Sequence, residues 1–270
     1  MRGRIVGLLG WCVVCLLCSQ VAVADFDHRV WHEIVNRHVV VLDDGRASQV
    51  DYQAIAKERP LLRRYLKQLE QVAVPEFDQW DRPVQLAFLI NAYNAWTVEL
   101  ILSRYPHLDS IKDIGSWFSS PWRREFIPLL GQRRSLDDIE HGLIRGSDRY
   151  NEPRIHFAVN CASIGCPALL AEAFEGHKLD QQLEQATQNF LKDASRNRFR
   201  DGELQVSKIF DWYQQDFAEG WRGSQSLAEF LALYGDALGL SEVQRQALVS
   251  GDINIEFLDY DWGLNDVRPR

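Results

Sequence analysis

The sequence predicts an α+β fold: a single compact domain in which a central buried helix packs on a small, mostly antiparallel sheet. Three observations lead there. The 270 residues are 46% hydrophobic and 25% charged, with only 17 Gly and 9 Pro, so the chain can bury a core and is not collagen-like or disordered. Val84 to Ser103 is apolar nearly all round and holds no Gly or Pro, which marks a helix inside the core. Short extended runs alternate with helical ones, and no linker, fixed-period repeat or low-complexity stretch divides them.

In chain order, a helix begins near Phe26, followed by an extended piece at Arg37–Leu42 and a turn at Asp43-Asp44-Gly45-Arg46. Charged helical sequence runs from Tyr52 to Gln71 and is broken or restarted at Pro60. Pro83 opens the central helix, because a proline at the first helical position removes an N–H that would have no partner anyway. A Trp-rich stretch, Trp117–Trp122, leads to a hairpin of Glu125–Leu130 and Gln132–Arg134 about Gly131. The arginines there, Arg123, Arg124, Arg133 and Arg134, read as one solvated face. Ser135 and Asp138 have capping-box spacing and start a helix through about Arg145. Ile155–Asn160 is a predicted strand, Cys161–Cys166 a turn, and Pro167 the first residue of a short helix. An amphipathic helix at Leu179–Ala194, a strand at Glu203–Val206 and an aromatic helix at Ile209–Phe217 follow. Helices at Gln225–Leu238 and Glu242–Val249 and a strand at Ile253–Tyr260 complete the set.

The first 24 residues read as a secretory signal peptide: Arg2 and Arg4, an apolar run Ile5–Cys18, and a small-residue site Ala22-Val23-Ala24 before Asp25. The expectation is cleavage after Ala24, a periplasmic or secreted protein of residues 25–270, and no stable membrane insertion afterwards. Cys12, Cys15 and Cys18 lie in this leader behind bulky residues, which disfavours lipoprotein-type processing. Loss of Arg2 and Arg4 deepens the net charge from −8 to −10. Such a balance offers a phosphate backbone no footing, so nucleic acid is excluded as a partner. Of five cysteines, Cys161 and Cys166 remain.

Polar residues at apolar positions carry the chemical signal, because an unpartnered buried polar group costs roughly 1–3 kcal/mol. Asn91 and Asn94 share a helical face with Ala87, Ala95 and Val98. Glu140 falls on the buried stripe of Leu136, Leu143 and Ile144, with His141 at its margin, and needs a partner such as Arg145 or Arg154, or a raised pKa. On a strand, His156 and Asn160 would face one way. Cys166, just before a proline-initiated helix, would have its thiolate favoured by the helix dipole. A cysteine with a histidine base and an orienting carboxylate or amide is what thiol nucleophilic catalysis requires. Cys-x4-Cys beside one histidine is weak as a zinc pattern, so no metal and no cofactor are expected.

The strings Phe88-Leu89-Ile90-Asn91-Ala92-Tyr93-Asn94-Ala95, Leu136-Asp137-Asp138-Ile139-Glu140-His141-Gly142-Leu143-Ile144-Arg145 and His156-Phe157-Ala158-Val159-Asn160-Cys161 through Cys166-Pro167 resemble the domain of unknown function 547 family. Ser207–Tyr213 and Tyr260-Asp261-Trp262 are similar to it as well. The resemblance runs from about Val30 to Leu264 and implies an exported bacterial member of a family without an established activity.

The leading expectation is a cysteine-dependent hydrolase or acyl transferase acting on an amide or thioester of a small molecule or peptide. Cys166 is the nucleophile, His156 or His141 the base and Glu140 or Asn160 the orienting group. Asn91 and Asn94 line or stiffen the site, and Cys161 is a resolving thiol. The likeness to papain-like and transglutaminase-like enzymes is one of chemistry only. Two alternatives stand beside it: a thiol/disulfide redox protein using Cys161 and Cys166, and a non-catalytic exported binding domain stapled by a disulfide.

Overall fold

The computed structural model describes residues 25–115 and 120–267. The leader with Cys12, Cys15 and Cys18, its cleavage point, and Trp117 and Phe118 lie outside the described residues. The fold is α+β. Helix α1 (Arg29–His38) runs into strand β1 (Val39–Leu42), which turns through Asp44 and Gly45, both at positive φ, and pairs antiparallel with β2 (Ala47–Val50). β2 has no alternating apolar pattern, and its residues Ala-Ser-Gln-Val carry no strand signal. Helices α2 (Tyr52–Lys57) and α3 (Arg59–Gln71) are separated at Glu58, one residue before the turn that Pro60 opens. A short helix α4 (Val74–Phe77) leads to α5 (Arg82–Leu102).

Helix α5 is the axis of the molecule. All but three of its residues are buried, as its all-round apolarity requires. Helices α2, α3 and α6 (Leu179–Leu191) and the turns around residues 138–144 and 176–178 pack about it. The strands are spread over small sheets, so the helix is surrounded mainly by other helical segments. Among the described residues these sheets are β1–β2, the hairpin β3 (Ile127–Leu129) and β4 (Gln132–Arg134), and β5 (Arg198–Arg200), β6 (Glu203–Ser207) and β7 (Ile255–Leu258). β7 lies parallel to β6 and antiparallel pairing joins β5 to β6. Helices α7 (Ile209–Trp212), α8 (Leu227–Leu233) and α9 (Glu242–Ser250) complete the chain.

Two apolar clusters result. The larger gathers α1–α5 and Ile155, Ala158 and Val159; the smaller gathers Phe157, Phe190, Phe210, Phe217 and Phe230. Phe157 and Val159, two residues apart, belong to different clusters, so the segment between them threads the seam.

Three local expectations are corrected there. Residues Pro153–Phe157 form a 3-10 turn instead of a strand. The backbone after it is satisfied by side chains: Asn94 Nδ2 donates to the Ala158 carbonyl at 2.9 Å, and the Asn160 amide donates to Asn94 Oδ1 at 2.8 Å. His156 and Asn160 therefore do not share a strand face. Residues 167–170 are irregular, so Cys166 has no helix N-terminus behind it. The aromatic helix stops at Trp212, and a separate 3-10 turn spans Asp216–Ala218.

Candidate active site

A cavity of about 260 Å³ opens at the seam between the two clusters. It is lined by Tyr93 of α5, by Asp137, Glu140 and His141 of one turn, and by His156, Cys161 and Cys166. Trp122, Trp212, Tyr213, Tyr260 and Trp262 add aromatic walls. Five residues expected at a site from sequence, Glu140, His141, His156, Cys161 and Cys166, thus meet in one place.

The cysteine loop is built by asparagines and by the C-terminal segment. Asn160 Nδ2 donates to the Pro167 carbonyl at 2.8 Å, and its Oδ1 accepts from the Ala162 amide at 2.9 Å, closing the loop upon itself. Ala162 adopts φ +63°, a conformation disfavoured by its Cβ, so these bonds hold strained backbone. Amides of Ile164 and Gly165 donate to the carbonyls of Gly263 and Asp261, each at 2.8 Å. Gly165 is required by packing: a Cβ there would lie 2.9 Å from the Tyr260 ring. Asn91 works farther away, exchanging hydrogen bonds of 2.8 and 3.0 Å with Phe174. Asn91, Asn94 and Asn160 therefore brace the walls and do not line the cavity.

Cys161 and Cys166 are joined as a disulfide. Cys166 Sγ accepts from the Cys161 amide at 3.0 Å and from the Tyr260 hydroxyl at 3.1 Å, and the same hydroxyl is 3.1 Å from Cys161 Sγ. Two hydrogen-bond donors thus meet the Cys166 sulfur where no helix N-terminus stands. Arg196 donates to the Cys166 carbonyl and secures the loop from behind.

His156 is buried, 2% exposed, and its Nε2 lies 2.7 Å from Asp216 Oδ2. Burial lowers the histidine's pKa, against the opposing pull of Asp216. Burial alone would raise the Asp216 carboxyl, but hydrogen bonds from Arg145 and His156 outweigh it and hold it well below the usual carboxylate range. The pair is accordingly a neutral imidazole donating Nε2–H to a carboxylate. This fixes Nδ1 as the bare nitrogen, and Nδ1 is buried without a hydrogen-bond partner. Arg145 grips Asp216 with Nε at 2.5 Å and Nη2 at 2.7 Å, and its Nη1 donates to His141 Nδ1 at 2.6 Å. Tyr213 stacks on His156 with ring centroids 3.8 Å apart and fixes the ring plane.

Glu140 is buried in a wide π-helical turn, Asp138–Ile144, whose start is the expected capping box: Ser135 and Asp138 exchange bonds of 2.8 and 3.0 Å. The Arg145 amide reaches back to the Glu140 carbonyl, five residues away, which is the π winding itself. The carboxylate faces Tyr93 and Tyr213. Burial first, and then Glu140 by charge and hydrogen bonding, push both phenols upward. The expected arginine pairing is not made. Arg145 goes to Asp216, and Arg154 to Glu152, Asp180 and Glu184.

The side chain that hydrogen-bonds His156 is Asp216, neither Glu140 nor Asn160. Sixty positions separate Asp216 from His156, so no local spacing could pair them. The only trace in sequence is an acid inside an aromatic run. Tyr213 and Tyr260 carry no sequence signal of a role, because a tyrosine in an aromatic cluster reads as packing. Among the described residues no group of three or more His, Cys, Asp or Glu is placed to hold a metal ion, and no helix is long and apolar enough to cross a membrane.

No curated protein and no solved structure matches the chain. Residues 77–191, which carry Asn91, Asn94, Glu140, His141, His156, Asn160, Cys161 and Cys166, match the family model described as protein of unknown function, DUF547. Over residues 77–191 this match supports the DUF547 family.

Proposed function

We propose that the chain is a cysteine-dependent hydrolase or acyl transferase acting on an amide or thioester, with Cys166 as nucleophile, His156 as base and Asp216 as orienting group. One observation carries the reading. A neutral histidine, its Nε2–H engaged by an ionised carboxylate and its Nδ1 without a partner, lines the same cavity as Cys166. His141 is less suited as the base, since its Nδ1 already accepts from Arg145.

The disulfide holds this nucleophile in reserve. A dithiol reductant converts the Cys161–Cys166 bond to two thiols and is itself oxidised to a disulfide. The freed Cys166 gives its proton to His156 Nδ1, and the thiolate attacks the substrate carbonyl carbon. Collapse of the tetrahedral intermediate expels the amine or thiol, which takes the proton back from His156. An acyl-thioester on Cys166 remains, and water completes hydrolysis or a second nucleophile completes transfer. Export to a periplasmic or extracellular space forms part of the proposal, since disulfides persist in oxidising compartments.

The test is peptide-mapped alkylation after reduction. Cys166 is expected to react faster than Cys161 at neutral pH, and Cys166→Ser to remove the fast phase while circular dichroism stays unchanged. Equal rates at both cysteines, with the fast phase surviving in Cys166→Ser, would sink the assignment.

The thiol/disulfide redox reading is favoured by a different observation, the single Tyr260 hydroxyl touching both sulfurs. It predicts that both cysteines are indispensable. Cys161→Ala separates the two, because it removes the redox couple and leaves the nucleophile. A static staple in a binding domain accounts for the disulfide but gives the His156–Asp216 pair no task.

A further inference from the structure

We propose that the cavity selects substrates bearing an ammonium group, which docks against its aromatic wall while the amide or thioester carbonyl meets Cys166; this rests on the reading of the same site given above. The cavity wall is six aromatic side chains deep: Tyr93, Trp122, Trp212, Tyr213, Tyr260 and Trp262. The charged residues among its described lining are acids, Asp137 and Glu140, and neither Lys nor Arg is among them. Rings carry negative charge on their faces, so an aromatic wall with Glu140 and the Arg123-bridged Asp137 in its lining attracts a weakly hydrated cation.

A further observation gives the same sign. Lys112, itself not among the lining residues, holds its ammonium 3.5 Å from the Trp262 ring centroid, so a ring of this wall binds a cation on its face. Acids and ring faces both favour an electropositive guest. A volume of about 260 Å³ suits a small amine-bearing molecule or one residue of a peptide.

The test is calorimetric titration of the Cys166→Ser chain with choline and with its neutral isostere 3,3-dimethylbutan-1-ol. Choline is expected to bind about tenfold or more tightly than the alcohol. Trp212→Ala and Glu140→Gln should each weaken choline by roughly 2- to 30-fold more than they weaken the alcohol. Trp212 is an exposed side chain, so its removal leaves the core intact and the comparison meaningful. Equal affinities, no choline binding at tens of millimolar, or indifference to both substitutions would overturn the inference. Titration needs no chemistry at residue 166. An unreactive Cys166 with selective choline binding therefore refutes the catalytic reading alone, and a reactive Cys166 without selectivity refutes this one alone.

Discussion

Replacing Asp216 by Asn tests the pairing that organises the cavity. Asp216 accepts three charge-assisted hydrogen bonds, at 2.5 and 2.7 Å from Arg145 and 2.7 Å from His156. Such bonds are worth about 1.5–3 kcal/mol each when buried. Asparagine keeps one acceptor oxygen and turns an N–H toward the remaining donor, so between one and two of the three are lost. Side-chain exposures of 27% for Arg145 and 18% for Asp216 admit some solvent screening, which brings the expected destabilisation down to roughly 2–3 kcal/mol. The chemical effect is larger in kind. The negative charge that orients the His156 Nε2–H and stabilises the imidazolium formed when Nδ1 takes the Cys166 proton is removed whichever way the amide turns. Iodoacetamide alkylation of the reduced protein should slow by about tenfold or more at neutral pH, with its pH profile moved toward that of an ordinary thiol near 8.5. Urea unfolding supplies the stability and peptide mapping the rate. If stability falls as stated while the rate and pH profile at Cys166 do not move, Asp216 is a structural partner of Arg145 and the base assignment fails.

Two more outcomes follow from buried polar groups elsewhere. Burial pushes the His28 imidazole down to about 3, and Tyr65 donates its hydroxyl to the neutral ring at 2.7 Å. A histidine with a depressed folded-state pKa stabilises fully above its unfolded value of about 6.5 and loses that contribution as pH falls toward the folded one. Wild type should therefore lose roughly 2 kcal/mol more than His28→Gln between about pH 6.5 and 5 in denaturant titrations; parallel curves would contradict the burial argument. Asn94→Leu removes both bonds to the segment carrying the cysteines and leaves the Ala158 carbonyl and Asn160 amide buried without partners. A cost of roughly 2–5 kcal/mol is expected from chemical unfolding, and a loss below about 0.5 kcal/mol would mean that the loop does not depend on it.

Those asparagines explain where the sequence was legible and where it was not. Helix α5 could be placed because Pro83 marks its start and its apolar run has no competitor. The hairpin about Gly131 and the capping box at Ser135 were equally local signals. Ile155–Asn160 has strand composition, but its hydrogen-bond partners are the Asn94 side chain and its own 3-10 turn, and composition does not reveal a partner 64 residues away. The site was half legible for the same reason. Glu140, His156 and Cys166 stood out because each is polar in an apolar context. Asp216 did not, and Arg145 stood out only as a partner for Glu140, since charged residues in turns are ordinary until their mutual contact is known. The helix expected after Pro167 rested on one proline, and it lost to a loop held by Asn160 and the segment beyond Tyr260.

The seam between the loop and Tyr260–Asn265 also sets a clock. Tyr260 lies 94 residues beyond Cys166, and the carbonyls that hold the Ile164 and Gly165 amides belong to Gly263 and Asp261. A growing chain therefore carries both thiols for a long stretch of synthesis before the residues that enclose them exist. Contacts of such separation form late, because the chain between them must be ordered first. Until then Ala162 has no reason to hold its left-handed conformation, and Cys161 and Cys166 behave as free, unguided thiols. The cavity can appear only in a molecule whose Tyr260–Asn265 segment has docked on the cysteine loop.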